Sequence, residues 1–152
     1  MIDEWAKKGV GIGCMHYGVE VEANKGGQEF KRWIGGYYET NYSCNPMWSP
    51  DYQSFPDHPV ARGVKPFSNR DEWYFNMRWT EQKGVTPILS AIAPVETVHF
   101  KEGDKPNAHG GNADALKAVK AGEPQHLAWA SERPDGGRGF GFTGMHNFAN
   151  LM

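Results

Sequence analysis

The chain has 152 residues, a length that suits one domain, 1–152, around a single core. Hydrophobic residues make up 39% and charged residues 22%, which excludes disordered and membrane-protein compositions. The net charge is −2 with both signs scattered, and no apolar run approaches the ~20 residues that span a bilayer, so neither nucleic acid nor membrane is an expected partner.

In chain order, residues 2–8 read as the last turns of a helix that Gly9 stops. Residues 10–15, VGIGCM, read as a short buried strand whose glycines let another element pass close by. Phe30, Trp33, Ile34 and Tyr37 fall at i, i+3, i+4 and i+7, the signature of an amphipathic helix that Gly35-Gly36 ends. Residues 40–58 are polar, aromatic and broken by proline, the mark of a long irregular loop, and 59–62 read as one helical turn. Strands are expected over 72–79 and 85–91, with Pro87 pointing to an edge or a bulge, and a third short one over 96–100. Asn112 caps a predicted helix over 113–121 that Gly122 stops. Residues 126–133 and 138–145 flank a Pro-Asp-Gly-Gly turn and form an antiparallel C-terminal hairpin. Helices and strands mix along the chain, so the class is α/β.

Two strand ends carry the chemistry. Cys14 and His16 share one side of the first strand, and His16 falls at the turn with Gly18 behind it. Cys14 sits one step back, where apolar surroundings raise a thiol's pKa and leave it inert. The last strand also runs through a glycine into a histidine, His146. Ligands in open α/β sheets bind beyond the carboxyl ends of strands, so two histidines delivered to one rim suit a shared metal or an acid/base pair. Asp71 and Glu72 point to opposite faces, so one is free to cap a loop while the other reaches a site. His109 and Asn112 lie on a glycine-rich loop, and aromatics such as Trp48, Tyr38 and Tyr42 suit stacking on a sugar ring. No phosphate-cradling loop, dinucleotide fingerprint or serine elbow is present, so no nucleotide cofactor is expected. Cys14 and Cys44 are too few for a disulfide framework.

Taken together, GVGIGCMHYGVE, WIGGYYE, DHPVARGVKPF, DEWYFNMRW, GVTPILSA, HGGN and HLAWASERPDGGRGFGFTGMHNFAN resemble the trehalose-utilisation (ThuA-like) family over nearly the whole chain. The resemblance implies a class I glutamine-amidotransferase-like fold, a flavodoxin-like three-layer sandwich. Against the G-x-C-x-G elbow of amidotransferases, the nucleophile's place is held by His16, so amidotransferase chemistry is not expected. It further implies carbohydrate catabolism of trehalose-like or keto-glycoside substrates. His16 and His146 would be metal ligands or acid/base groups and Glu72 a helper carboxylate. Tyr17, Glu20, Tyr38, Trp48, His109 and Asn112 would be substrate contacts. The implied cofactor is a divalent ion, zinc, manganese or nickel. The family pattern G-H-x-x-x-N is matched at His146 and Asn150, with Met145 standing between Gly144 and the histidine. Against the family the chain looks truncated at both ends, which would leave an exposed sheet edge. A non-catalytic carbohydrate-binding or interaction domain on the same fold is the competing expectation. A homo-oligomer is compatible with either. The N-terminal sequence is polar and no secretory signal, and the compartment stays open between cytoplasm and export.

Overall fold

The computed structural model describes residues 1–147 and Ala149. Helix α1 (Ile2–Lys7) ends at Gly9, whose φ of 80° lets the chain reverse into strand β1 (Ile12–Met15). A 3₁₀ turn, His16–Val19, follows. Helix α2 (Gln28–Ile34) is stopped by Gly35 in the left-handed region. Short ladders follow from β2 (Gly36–Tyr37), β3 (Met47–Trp48), β4 (Asp51–Tyr52), β5 (Phe67–Ser68), β6 (Asp71–Glu72) and β7 (Arg78–Trp79). The long strands are β8 (Val85–Ile92), β9 (Pro124–Glu132) and β10 (Arg138–Phe142), and α3 (Ala113–Lys120) precedes β9.

The main sheet of the described residues has the order β1-β10-β9-β8. It is mixed: β1 runs parallel to β10, while β10–β9 and β9–β8 are antiparallel. The molecule is thus a mixed α/β fold, and the expected C-terminal hairpin is β9–β10. Strand β8 lies at the sheet edge and shifts register between Pro87 and Leu89, so Pro87 marks both an edge and a bulge.

One face of the sheet packs on α2. The other packs on the irregular segments and α3 through Ile88, Leu89, Ala128, Ala130, Phe140 and Phe142. Strand β10 alternates to suit the two faces. Its phenylalanines enter this second core, while a Cβ on Gly139 would strike the Trp33 and Ile34 backbone and one on Gly141 the Trp129 ring. Trp129 itself donates Nε1–H to the carbonyl of Ile34 at the helix end, 2.5 Å.

Three expected elements come out differently. Residues 72–79 are not one strand. Trp73 and Phe75 enter one core and Tyr74 the other, but the ladder is confined to Asp71–Glu72 and Arg78–Trp79, and between them Asn76 turns the chain at φ 55° while bonded to Gln125 and Tyr42. The stretch at 96–100 is not a strand; a 3₁₀ turn, Val95–Thr97, forms where the Thr97 hydroxyl donates to the Pro94 carbonyl. The second helix stops at Gly35 as expected, so Tyr37, the last residue of the apolar period, falls outside it in β2.

Candidate metal centre

The site follows from the parallel pairing of β1 with β10. Because β1 and β10 run the same way, their carboxyl ends meet at one rim, and each leads directly into a histidine-bearing segment. His16 opens the turn after β1 with φ 47°, and Met145 precedes His146 with φ 84°. Side chains rarely adopt this region, and such strain persists where the surroundings hold it.

Asp71 does the holding on the β10 side. Its buried carboxylate accepts hydrogen bonds from the backbone N–H groups of Met145, His146 and Asn147 at 2.9–3.0 Å, and from Glu72 N–H at 2.8 Å. The neighbouring Glu72 turns the other way, to the histidines. One carboxylate caps a loop and the next reaches the site, the division of labour their alternation suggests.

Three ligand atoms then form a closed triangle. His16 Nε2 and His146 Nδ1 are 3.2 Å apart, His146 Nδ1 and Glu72 Oε2 3.1 Å, and His16 Nε2 and Glu72 Oε2 3.4 Å. A tetrahedral ion with bonds of about 2.0–2.1 Å spaces its ligand atoms about 3.3–3.4 Å apart. The donor set therefore fits a divalent ion in spacing as well as in chemistry, and the three residues could hold one together.

The next residues out orient this set. His16 Nδ1 lies 3.1 Å from the carbonyl of Thr143, an acceptor only, so Nδ1 carries the proton and Nε2 presents its lone pair to the triangle. Asn45 donates Nδ2–H to Glu72 Oε1 at 3.1 Å, leaving Oε2 for the histidines. Tyr74 places its hydroxyl 3.1 Å from His16 Nε2, with its ring 4.7 Å from the imidazole and 5.0 Å from Tyr38. Burial, and next the Glu72 carboxylate, pushes the Tyr74 phenol upward, so it stays protonated. The triangle lies at the rim, its side chains 18% (His16), 12% (Glu72) and 53% (His146) exposed, so a ligand can reach it from solvent.

The other sequence candidates distribute around this centre. Tyr17 follows His16 and is exposed. Glu20 accepts from the Thr40 hydroxyl and bridges Tyr38 by backbone. Tyr38 is not the expected substrate contact: it is buried against Tyr74 and supports the site from behind. Trp48 is a second correction: it is buried in the core with Nε1–H on the Trp73 carbonyl, so its ring is packed rather than offered to a sugar. Asn112 is a third: its buried side chain caps α3 through Ala115 N–H and donates to the Tyr42 carbonyl. His109 is exposed on the 107–111 loop, whose Ala108 carbonyl accepts from Asn45 N–H. Asn150 lies outside the described residues. Asn45 and Tyr74 were not singled out as site residues from sequence. For Tyr74 the available signal was its place two residues from Glu72; Asn45 carried none.

The thiols are unsuited to nucleophilic work. Burial raises the Cys14 pKa and pushes Cys44 up to about 12.

No family model, curated protein or solved structure matches the chain.

Proposed function

We propose that the chain is a metal-dependent enzyme of the trehalose-utilisation type, acting on a trehalose-like or keto-glycoside substrate. The observation that carries the reading is the closed triangle of His16 Nε2, His146 Nδ1 and Glu72 Oε2. Two histidines and a carboxylate with an open position form a ligand set of hydrolytic zinc and of other first-row ions, so zinc, manganese and nickel are the candidates. A bound ion would supply Lewis acidity toward a sugar carbonyl or hydroxyl oxygen and an activated water. The chain's own part is positional. Thr143 fixes the His16 tautomer, Asn45 orients Glu72, and Asp71 seats the segment bearing His146. A flavodoxin-like, amidotransferase-related ancestry is part of this proposal. Its support is the parallel β1–β10 pair and the tight turn at His16 where an elbow nucleophile would stand.

The test has two steps. Metal analysis after loading should find one divalent ion per chain, lost in His16→Ala. The loaded protein should then convert trehalose or a keto-glycoside, read by NMR of the products. Absence of uptake by the wild type would sink the metal reading, and uptake without turnover of any sugar would sink the enzymatic one.

A non-catalytic sugar-binding role is favoured by a separate feature. A cleft of about 420 Å³ is lined by Tyr42, Trp79, Asn76, Thr80, Glu123 and His126, the aromatic-and-polar wall that pyranose rings suit. Trehalose binding that survives His16→Ala and fails in Trp79→Ala would support this second reading.

A further inference from the structure

Tyr74 is almost fully buried, yet its hydroxyl is delivered to the lone pair that a metal ion would use. His16 Nδ1–H donates to the Thr143 carbonyl, so Nε2 is an acceptor and the 3.1 Å contact has Tyr74 O–H donating to it. An ion held by His16, Glu72 and His146 takes that same lone pair. The phenol proton then loses its acceptor in a place where an unsatisfied donor is costly. The Tyr74 ring is wedged against His16 and Tyr38 and cannot carry the hydroxyl far. Two acceptors are then within reach: the Glu72 carboxylate, whose Oε1 is held by Asn45 and whose Oε2 faces the ion, and an oxygen bound at the ion's open position.

We propose that Tyr74 is the hydrogen-bond donor to the ion-bound oxygen of the substrate, which selects ligands that present a hydroxyl, carbonyl or carboxylate oxygen over those that present sulfur. The inference rests on the metal reading above and deepens it. The Tyr74 hydroxyl bonds to His16 Nε2, and with an ion bound there it would turn to the ligand. The hydroxyl thus does one of two jobs according to occupancy, with no movement of the backbone. A sulfur ligand accepts hydrogen bonds weakly and gains little from it.

The probe is Co(II), whose visible absorption reports its coordination, titrated into the wild type and Tyr74→Phe. The loaded proteins are then titrated with acetate and with 2-mercaptoethanol. Tyr74→Phe should bind Co(II) with unchanged stoichiometry and an affinity within about threefold. Its acetate affinity should fall about tenfold or more, the worth of a hydrogen bond to a charged oxygen, while its thiol affinity changes little. Unchanged acetate affinity would overturn the proposal and leave the metal centre standing. Loss of Co(II) from Tyr74→Phe alone would make the phenol a ligand and also overturn it. No Co(II) uptake by the wild type would remove both readings. Should Tyr74→Phe not fold, zinc titration of the wild type decides: a tyrosine near-UV difference band, retained in Tyr38→Phe, is expected, and no band counts against the change of partner.

Discussion

Asp71 is the residue on which the geometry of the centre turns. A buried carboxylate that accepts four backbone N–H groups is well matched, because each of these donors is fixed in place by the chain. Replacing it with asparagine substitutes an N–H₂ for one acceptor oxygen and sets donors against donors. Asp71→Asn should lower stability by about 2–4 kcal/mol. It should also weaken metal binding more than any loss of fold explains, because the peptide carrying His146 is released. Chemical denaturation beside metal titration of the folded fraction checks both. The strained φ angles at His16 and Met145 belong to the same economy: the rim holds two unfavourable conformations so that two imidazoles face one point.

Among the elements, β10 shows how the sequence encodes two faces at once. Its Arg-Gly-Phe-Gly-Phe run leaves room for α2 and Trp129 on one side and fills the core on the other. Gly141→Ala should therefore cost about 1–3 kcal/mol by pressing a methyl into the Trp129 ring, read as a drop in denaturation midpoint. This run, the turn after it and the apolar periods of α2 and α3 were legible in the sequence because each is a local pattern. Residues 72–79 were not. Their aromatic alternation is that of a strand, but Asn76 turns the chain under bonds to Gln125 and Tyr42, a tertiary fact with no local signature. Trp48 was misread for the same reason, since an aromatic in a proline-broken loop looks identical whether it is a core plug or a ligand platform. The candidate site was half legible. His16, His146 and Glu72 stood out by residue type at strand ends, whereas Asn45 and Tyr74 owe their roles to contacts formed across the fold.

At the scale of the whole molecule, protonation should limit stability on the acid side. Burial lowers the pKa of His126, which lines the aromatic cleft and pairs with Ser90 across β8 and β9. The unfolded chain then takes up this proton more readily than the folded one. The contribution is complete above the unfolded value of about 6.5 and is lost as the pH falls through the lowered folded value. Urea midpoints measured downward from about pH 7.5 should decline across that window, and His126→Gln should flatten this part of the decline.

The parallel pairing of β1 with β10 has a consequence for how the protein comes into being. His16 and His146 are separated by 130 positions, so the centre closes only when two segments far apart in sequence have met. Bringing such distant segments together is slow, since the entropy of closing a long loop is lost before any contact rewards it. In a stopped-flow experiment with cobalt present, the colour of the coordinated ion should rise with the last kinetic phase and never with the collapse that precedes it. Ion capture would then act as a clock for completion, reporting the moment at which the newly made polypeptide has found its native topology.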